Sequence, residues 1–510
     1  MVPRRASRYT CLDHEISGHV MLSRLCLAVA LLVLPLSAMA QVERPLVVGM
    51  ALEPPHLDPT AGAAAAIDEV LYDNVFQGLT QIAADGTVQP QLATGWEVAD
   101  DGMSWTFTLR EGVTFHDGKP FDASVAKFAL DRFRAAGAEN AQPQLFAAID
   151  SVEAVDPTTL KITLSRPDAN LPYSLGWGDA VMVHPDSADG NKQAPVGTGP
   201  FMFEDWRRGD RVILTRYDGY WGEPARVPRV EFAFVSDPGT ALASLLAGDV
   251  NAYPNFPAPE QVPVLEANES FTVEIGTTEG EVILAINSAR APFDKLEVRQ
   301  AISAAINRDV LIAGAMYGAG TPIGSHMPPH NPAYIDLTGE NGYDPDRARA
   351  LLADAGVTNL SLTITLPPPA YARRSGELIA AQLRQVGIDV SLKPVEWAEW
   401  LSSAFKGKDY DLTIVAHTEP NDIGIYGRPD YYFHVANARL DEVLAKLGTE
   451  ADPDARIGLL QEAQRLIADD AVNAFLFVLP KIGVWDARLT GFWHDSPIQA
   501  NDVTHVEWKE

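Results

Sequence analysis

Residues 360–392 read as strand, helix and strand. Apolar residues crowd 360–366, helical spacing follows at 374–385, and a second short strand pattern occupies 389–392. A strand that returns parallel to its predecessor needs a crossover helix, so this unit commits its region to an α/β layer. At 510 residues the chain is too long for one hydrophobic core, and two or three domains are expected. A hydrophobic fraction of 46% with 21% charged residues suits a globular protein and argues against disorder or a fibrous repeat.

The N-terminal segment reads as a secretory leader. Met21-Leu-Ser-Arg is a basic start, 25–36 is an apolar run, and Ser37-Ala-Met-Ala40 is a small-residue cleavage site. The run is too short to span a bilayer, which takes about 20 residues. Cleavage after Ala40 would leave Gln41 first, and Met21 competes with Met1 as the start. Both cysteines, Cys11 and Cys26, fall in the leader, so neither disulfide nor thiol chemistry is expected of the mature chain. Cys26 precedes the apolar run, whereas a lipid-anchoring cysteine would follow it. The net charge of −29 repels phosphate backbones, so nucleic acid is excluded as a partner.

Downstream the chain carries a series of spaced motifs. In 94–133, Trp-Thr-Phe-Thr-Leu (105–109) alternates as a half-buried strand does. Gly112, Asp117 and Gly118 then turn the chain, and Asp122 opens an amphipathic helix over 123–134 as an N-cap. A strand at 46–51 runs into Glu53-Pro-Pro-His-Leu-Asp-Pro, followed by a helix over 63–76. Residues 149–164 read as a hairpin about Asp156-Pro157. Pro195-Val-Gly-Thr-Gly-Pro200 is a glycine–proline turn whose glycines are expected in conformations closed to other residues. It lacks the Gly-Lys-Ser/Thr ending of a phosphate loop. A strand at 211–216, Tyr220-Trp221-Gly222, a strand at 229–234 and a helix over 238–247 follow. Residues 281–287 are an apolar strand, 345–355 a helix closed by Gly356, and 440–447 and 455–468 helices. An apolar strand occupies 474–479, before Pro480.

This order resembles the extracytoplasmic peptide/nickel solute-binding proteins of ABC importers, family 5, over nearly the whole mature chain. The resemblance implies an α/β, two-lobed periplasmic-binding-protein fold (type II, cluster C-like, with an enlarged first lobe) joined by a two-strand hinge. Its implied boundaries are a leader at 1–40, a first lobe of 41–279 plus 481–510, and a second lobe of 280–480. It also implies a periplasmic monomer in a Gram-negative bacterium. Such a protein hands a small solute to an inner-membrane ABC permease, spans no membrane itself and needs no cofactor.

Sites of this kind are concave and lie between lobes. Arg373, in Tyr371-Ala-Arg-Arg-Ser-Gly-Glu, matches the arginine that pairs with a peptide carboxylate in dipeptide-binding relatives. A guanidinium at a helix start suits that role; a solvated or ion-paired arginine is the alternative. In His417-Thr-Glu-Pro-Asn-Asp-Ile-Gly-Ile-Tyr426, relatives carry a tryptophan-rich loop with an aspartate for the ligand's amine. Here His417 replaces the tryptophan, and Glu419 or Asp422 could take the aspartate's place; Tyr426 lies in the same loop. Trp397 and Trp400 are stacking candidates, with core packing expected for at least one. Tyr431-Tyr-Phe-His434 and the loop Gly324-Ser-His-Met-Pro-Pro-His330 are further cleft candidates. Glu53 and His56 face the same region by analogy.

Two other functions compete. Nickel or metallophore uptake draws on His417, His434, His326 and His330, although these residues show no tight ligand spacing. For a secreted hydrolase there is no G-x-S-x-G, no C-x-x-C and no H-E-x-x-H pattern, which leaves only carboxylate pairs for glycosidase chemistry, and an acidic chain has many of those. Non-catalytic capture of a short peptide or another amine- and carboxylate-bearing solute is the leading expectation.

Overall fold

The computed structural model describes residues 44–62, 64–419, 422–433 and 436–509. The leader, its cleavage site and His434 lie outside the described residues. Among the described residues no helix is long and apolar enough to cross a membrane.

One 11-stranded sheet runs through the molecule. Its order is Asp389–Pro394, Ser361–Leu366, Leu412–His417, Phe271–Ile286, Asn473–Asp486, Ala252–Tyr253, Leu46–Met50, Arg229–Phe234, Arg211–Arg216 and Phe201–Arg207; Thr321–Pro322 pairs with Asn473–Asp486 off this path. The β-α-β unit is as expected. Ser361–Leu366 and Asp389–Pro394 pair in parallel, and helix Ala370–Gln385 crosses between them. A separate four-stranded antiparallel sheet has the order Ala93–Val98, Ser104–Leu109, Thr159–Leu164, Ile149–Asp156. Trp105, Phe107 and Leu109 point inward from it toward Phe133 and Leu130 of helix Ala123–Arg134. Asp122 caps that helix, accepting hydrogen bonds from Ser124 N at 2.8 Å and Val125 N at 3.1 Å.

Two strands hold the lobes together. Phe271–Ile286 and Asn473–Asp486 are antiparallel partners along nearly their whole length. Sequence had marked only 281–287 and 474–479, and had taken Pro480 as an end. Both strands continue, because each supplies the other's backbone partners; Pro480 stands opposite Thr277 at an irregularity that tolerates its missing N–H. On one side, residues of 46–252 and 485–506 form one core, and a satellite cluster joins residues of 233–265 to Ala319, Ile482 and Val484. On the other, the strand is buried on both faces. Val282, Leu284 and Ile286 join one cluster, and Ile283 and Ala285 join another. That double burial explains the uninterrupted apolar run.

Two local expectations are corrected. The helix predicted over 63–76 is only Ala65–Leu71. Asp73 adopts a left-handed backbone (φ 58°) that ends it, and the Tyr72 hydroxyl donates to the Gly176 carbonyl at 2.6 Å. Gly197 and Gly199 do not take left-handed conformations. They are needed for close approach instead: a Cβ on Gly197 would lie 1.8 Å from the Val75 carbonyl oxygen, and one on Gly199 2.6 Å from that of Asn74.

Candidate functional site

The site grows from a defect in the crossing strand. Between Thr277 and Glu281 four residues advance on one strand while only two, Pro480 to Val478, advance on the other. The excess bulges out, and bulges re-aim side chains. Thr278 stabilises the bulge, its hydroxyl donating to the Leu479 carbonyl at 2.9 Å and accepting from Gly280 N at 3.0 Å. Thr278, Glu279 and Gly280 thereby line a cavity of about 140 Å³ between the lobes. Glu69, Lys481, Thr418 and the tail residues Ser496 and Asn501 are among its other walls.

The cavity is rich in carboxyl groups. Burial pushes the Glu69 and Glu279 carboxyls up. Glu279 accepts from His330 Nε2 at 2.6 Å, and His330 Nδ1 lies 2.8 Å from the Thr277 hydroxyl. Glu281, two residues on, is buried beside them. Its Oε2 has no hydrogen-bond partner among the described residues. Its carboxyl is pushed well above the usual range by burial, and further by Glu279, Asp422 and Glu419. The cavity's ammonium is Lys481, which donates to the Trp493 carbonyl and is lowered to about 8 by burial.

Beside the cavity wall, His417 ends strand Leu412–His417 opposite Glu281. Its Nδ1 lies 3.3 Å from Asp422 Oδ2 and its Nε2 lies 3.1 Å from the Tyr432 hydroxyl. His326 Nε2 is bonded to Asp422 Oδ1, and its Nδ1 lies 3.3 Å from the Tyr426 hydroxyl. Burial opposes ionisation of Asp422, but the two imidazoles together outweigh it and hold its carboxyl well below the usual carboxylate range. Donor atoms of His326, His417 and Asp422 lie within 4.8 Å of one another.

The residues singled out from sequence fall into different places. His417 and Asp422 come together, with an imidazole on each oxygen of Asp422, and neither residue lines the cavity. Glu419 is exposed and accepts from Thr418 N at 3.2 Å. Tyr426 is fully buried, its hydroxyl accepting from Asn473 Nδ2 at 3.1 Å, so it supports the cluster from the core. Trp400 is also core, its indole N–H donating to the Thr413 hydroxyl at 2.9 Å; Trp397 is 41% exposed and meets Trp400 edge-on. Arg373 donates to the Pro367 carbonyl (2.8 Å) and the Val395 carbonyl (2.8 Å), tying two strand ends together. Glu53 accepts from Trp206 Nε1 and Gly209 N, each at 3.1 Å, and His56 Nδ1 accepts from Asp58 N at 3.3 Å; neither lines the cavity. Glu69, Glu279, Glu281 and Lys481 were missed. The available signal was two glutamates in a segment running straight into an apolar strand.

Comparison with known proteins places this arrangement. Residues 87–443 match the family model described as bacterial extracellular solute-binding proteins, family 5 Middle. The chain is 30% identical over 463 residues to the glutathione-binding protein GsiB of Salmonella paratyphi A, covering 86% of this chain and 89% of that protein. Its fold is similar to that of HbpA2 from Haemophilus parasuis (TM-score 0.83, 23% identity, 92% of this chain and 100% of that one). It is also similar to NikA from Brucella suis in complex with Fe(III)-EDTA (TM-score 0.80, 23% identity, 91% of this chain and 100% of that one). A sheet shared by two lobes, a cavity at their junction and a matching family model over most of the chain lead to one conclusion: the chain belongs to the family 5 bacterial extracellular solute-binding proteins.

Proposed function

We propose that the chain is the periplasmic capture component of an ABC importer, and that its solute is a short peptide or related compound with both an ammonium and a carboxylate. The observation that carries this reading is the cavity at the strand crossing, whose lining includes Glu69, Glu279 and Lys481. Carboxylates set against a lone ammonium complement a solute of mixed charge. Glutathione, which the relative GsiB is named for binding, has that chemistry. At about 140 Å³ the cavity is smaller than the ~300 Å³ of common small-molecule sites, so a peptide enters only if the lobes part. The bulge at Thr278–Gly280 is the natural pivot, which divides the chain into 41–279 plus 481–510 and 280–480. In this reading Lys481 takes the carboxylate and Glu279 the amine. Glu419, Trp397 and the exposed edge of Arg373 meet the solute in the open state.

The test is mass spectrometry of the compound that copurifies, followed by thermal shift with that compound and a panel of dipeptides, tripeptides and amino-acid derivatives. A doubly charged compound should raise the melting midpoint. Glu279→Gln and Lys481→Met should each weaken it by about tenfold or more, the loss of one charged hydrogen bond. A flat response across the panel, with some substrate consumed instead, would overturn the reading.

A further inference from the structure

We propose that His326, His417 and Asp422 form a binding site for one divalent transition-metal ion within the second lobe, separate from the solute cavity. Two of the residues are near in sequence, at the end of strand Leu412–His417 and the start of the short helix Asp422–Gly427, and His326 joins them from the loop after Thr321–Pro322. None of them lines the cavity; Thr418, next to His417, does.

Four observations support the site. The donor set of two imidazole nitrogens and one carboxylate suits zinc, nickel or copper, whereas magnesium and calcium prefer oxygen alone. The donor atoms lie within 4.8 Å of one another, and the His417–Asp422 separation of 3.3 Å is already that of two ligands on one tetrahedral ion at about 2.0–2.1 Å. Both histidines are almost fully buried, at 2% and 6% exposure, so their orientations are held by packing. Each ring turns its outer nitrogen toward a buried hydroxyl, Tyr426 for His326 and Tyr432 for His417. A hydroxyl can accept as well as donate, so each can take the outer N–H while the inner nitrogen offers its lone pair to a metal.

Two carboxyl groups are buried at the cluster. Asp422 and Glu281 lie close together in the interior, and among the described residues neither is ion-paired to a lysine or arginine. Glu281, the cross-strand partner of His417, has no hydrogen-bond partner for its Oε2 among the described residues. A metal on the three donors would tie the start of helix Asp422–Gly427 to the strand end at His417.

The test uses the full mature protein, freed of metal with a chelator and titrated calorimetrically with zinc chloride and nickel chloride in the absence of solute. One equivalent should bind. X-ray absorption of the zinc form should show two imidazoles and a carboxylate oxygen in the first shell at about 2.0–2.1 Å. Asp422→Asn and His417→Gln should each weaken binding by about tenfold or more. Tyr432→Phe should weaken it by about tenfold, as outer-shell partners do, and His494→Gln, an exposed surface histidine, should leave it unchanged. No saturable binding, a shell without two imidazoles, or parental affinity in Asp422→Asn would overturn the proposal. The absorption spectrum of the parent protein decides the matter if a variant fails to fold. Thermal shifts with solute, run in excess chelator, keep the two readings apart. A solute response without zinc binding sinks the metal site alone, and zinc binding with no solute response sinks the solute reading alone.

Discussion

Single residues in this protein do their work according to what surrounds them. Asp122 and Asp179 are both aspartates, yet they behave oppositely. Asp122 is half-exposed, and although partial burial pushes its carboxyl up, hydrogen bonds from the Ser124 hydroxyl and from the backbone N–H groups of Val125 and Ser124 hold it below the usual range. Asp179 is buried with one carboxylate oxygen unpartnered among the described residues, and burial pushes it up to about 7. It lies close enough to the buried Asp68 to raise that carboxyl as well. In the unfolded chain Asp179 returns to about 3.9. Its folded form therefore prefers the proton: the stability it contributes is full below about pH 3.9 and is lost as pH rises through about 7. Asp179→Asn, neutral at every pH, should be more stable than the parent by about 1–3 kcal/mol at pH 8, with a smaller gain at pH 5. Urea unfolding at the two pH values checks this; a gain independent of pH would refute the assignment. Asp122 was legible because an N-cap is a local pattern. Asp179 and Glu281 were not, because the environment of each is assembled from chain segments far apart in sequence.

At the scale of elements, local signals and tertiary pairing divide the credit. The helices Ala123–Arg134, Pro238–Ala247 and Pro345–Asp354 start at aspartate caps that sequence shows directly. The crossing strands were seen only in their apolar halves. Their outer halves, such as Phe271–Thr277, mix polar and apolar residues and become strand because a partner lies alongside. The glycine–proline turn at 195–200 was recognised, but for the wrong reason. Its first glycine is a spacer that lets two backbones touch, and Gly199 N donates to the Val75 carbonyl at 2.9 Å. Gly197→Ala should therefore cost about 2–3 kcal/mol or more, since its Cβ would meet an unyielding carbonyl. Gly95→Ala, with open space around it, should stay within about 1 kcal/mol of the parent. Chemical denaturation of the pair checks the contrast, and equal effects would remove close approach as the reason.

Across the whole molecule, the lobes also touch away from the crossing strands. Ala169 N donates to the Gly448 carbonyl at 3.3 Å, and Arg456 Nη2 donates to Asn170 Oδ1 at 3.3 Å. Arg456 is itself braced by the Leu447 and Glu450 carbonyls at 2.8 and 2.9 Å. These contacts join the loop after the four-stranded sheet to the far lobe, and in the proposed reading they form as the lobes close on the solute. Asn170→Ala should leave the melting midpoint of the ligand-free protein nearly unchanged and raise the Kd of the copurified solute by about 2–5-fold, the worth of one peripheral hydrogen bond. Calorimetric titration checks it; an unchanged Kd would show that the contact plays no part in closure.

By itself the sequence determined the α/β class, the family, the capped helices and the apolar strands, because each is written in a run of neighbouring residues as periodicity, a cap or a spaced motif. Tertiary structure alone decided which polar residues face one another. The bulge that turns Glu279 into the cavity exists only because two strands of unequal local length are paired. The meeting of His326 with His417 and Asp422 depends on a fold that carries distant loops to one point. Hydrogen bonds and charges act over a few ångströms of space, and no pattern along the chain measures that distance.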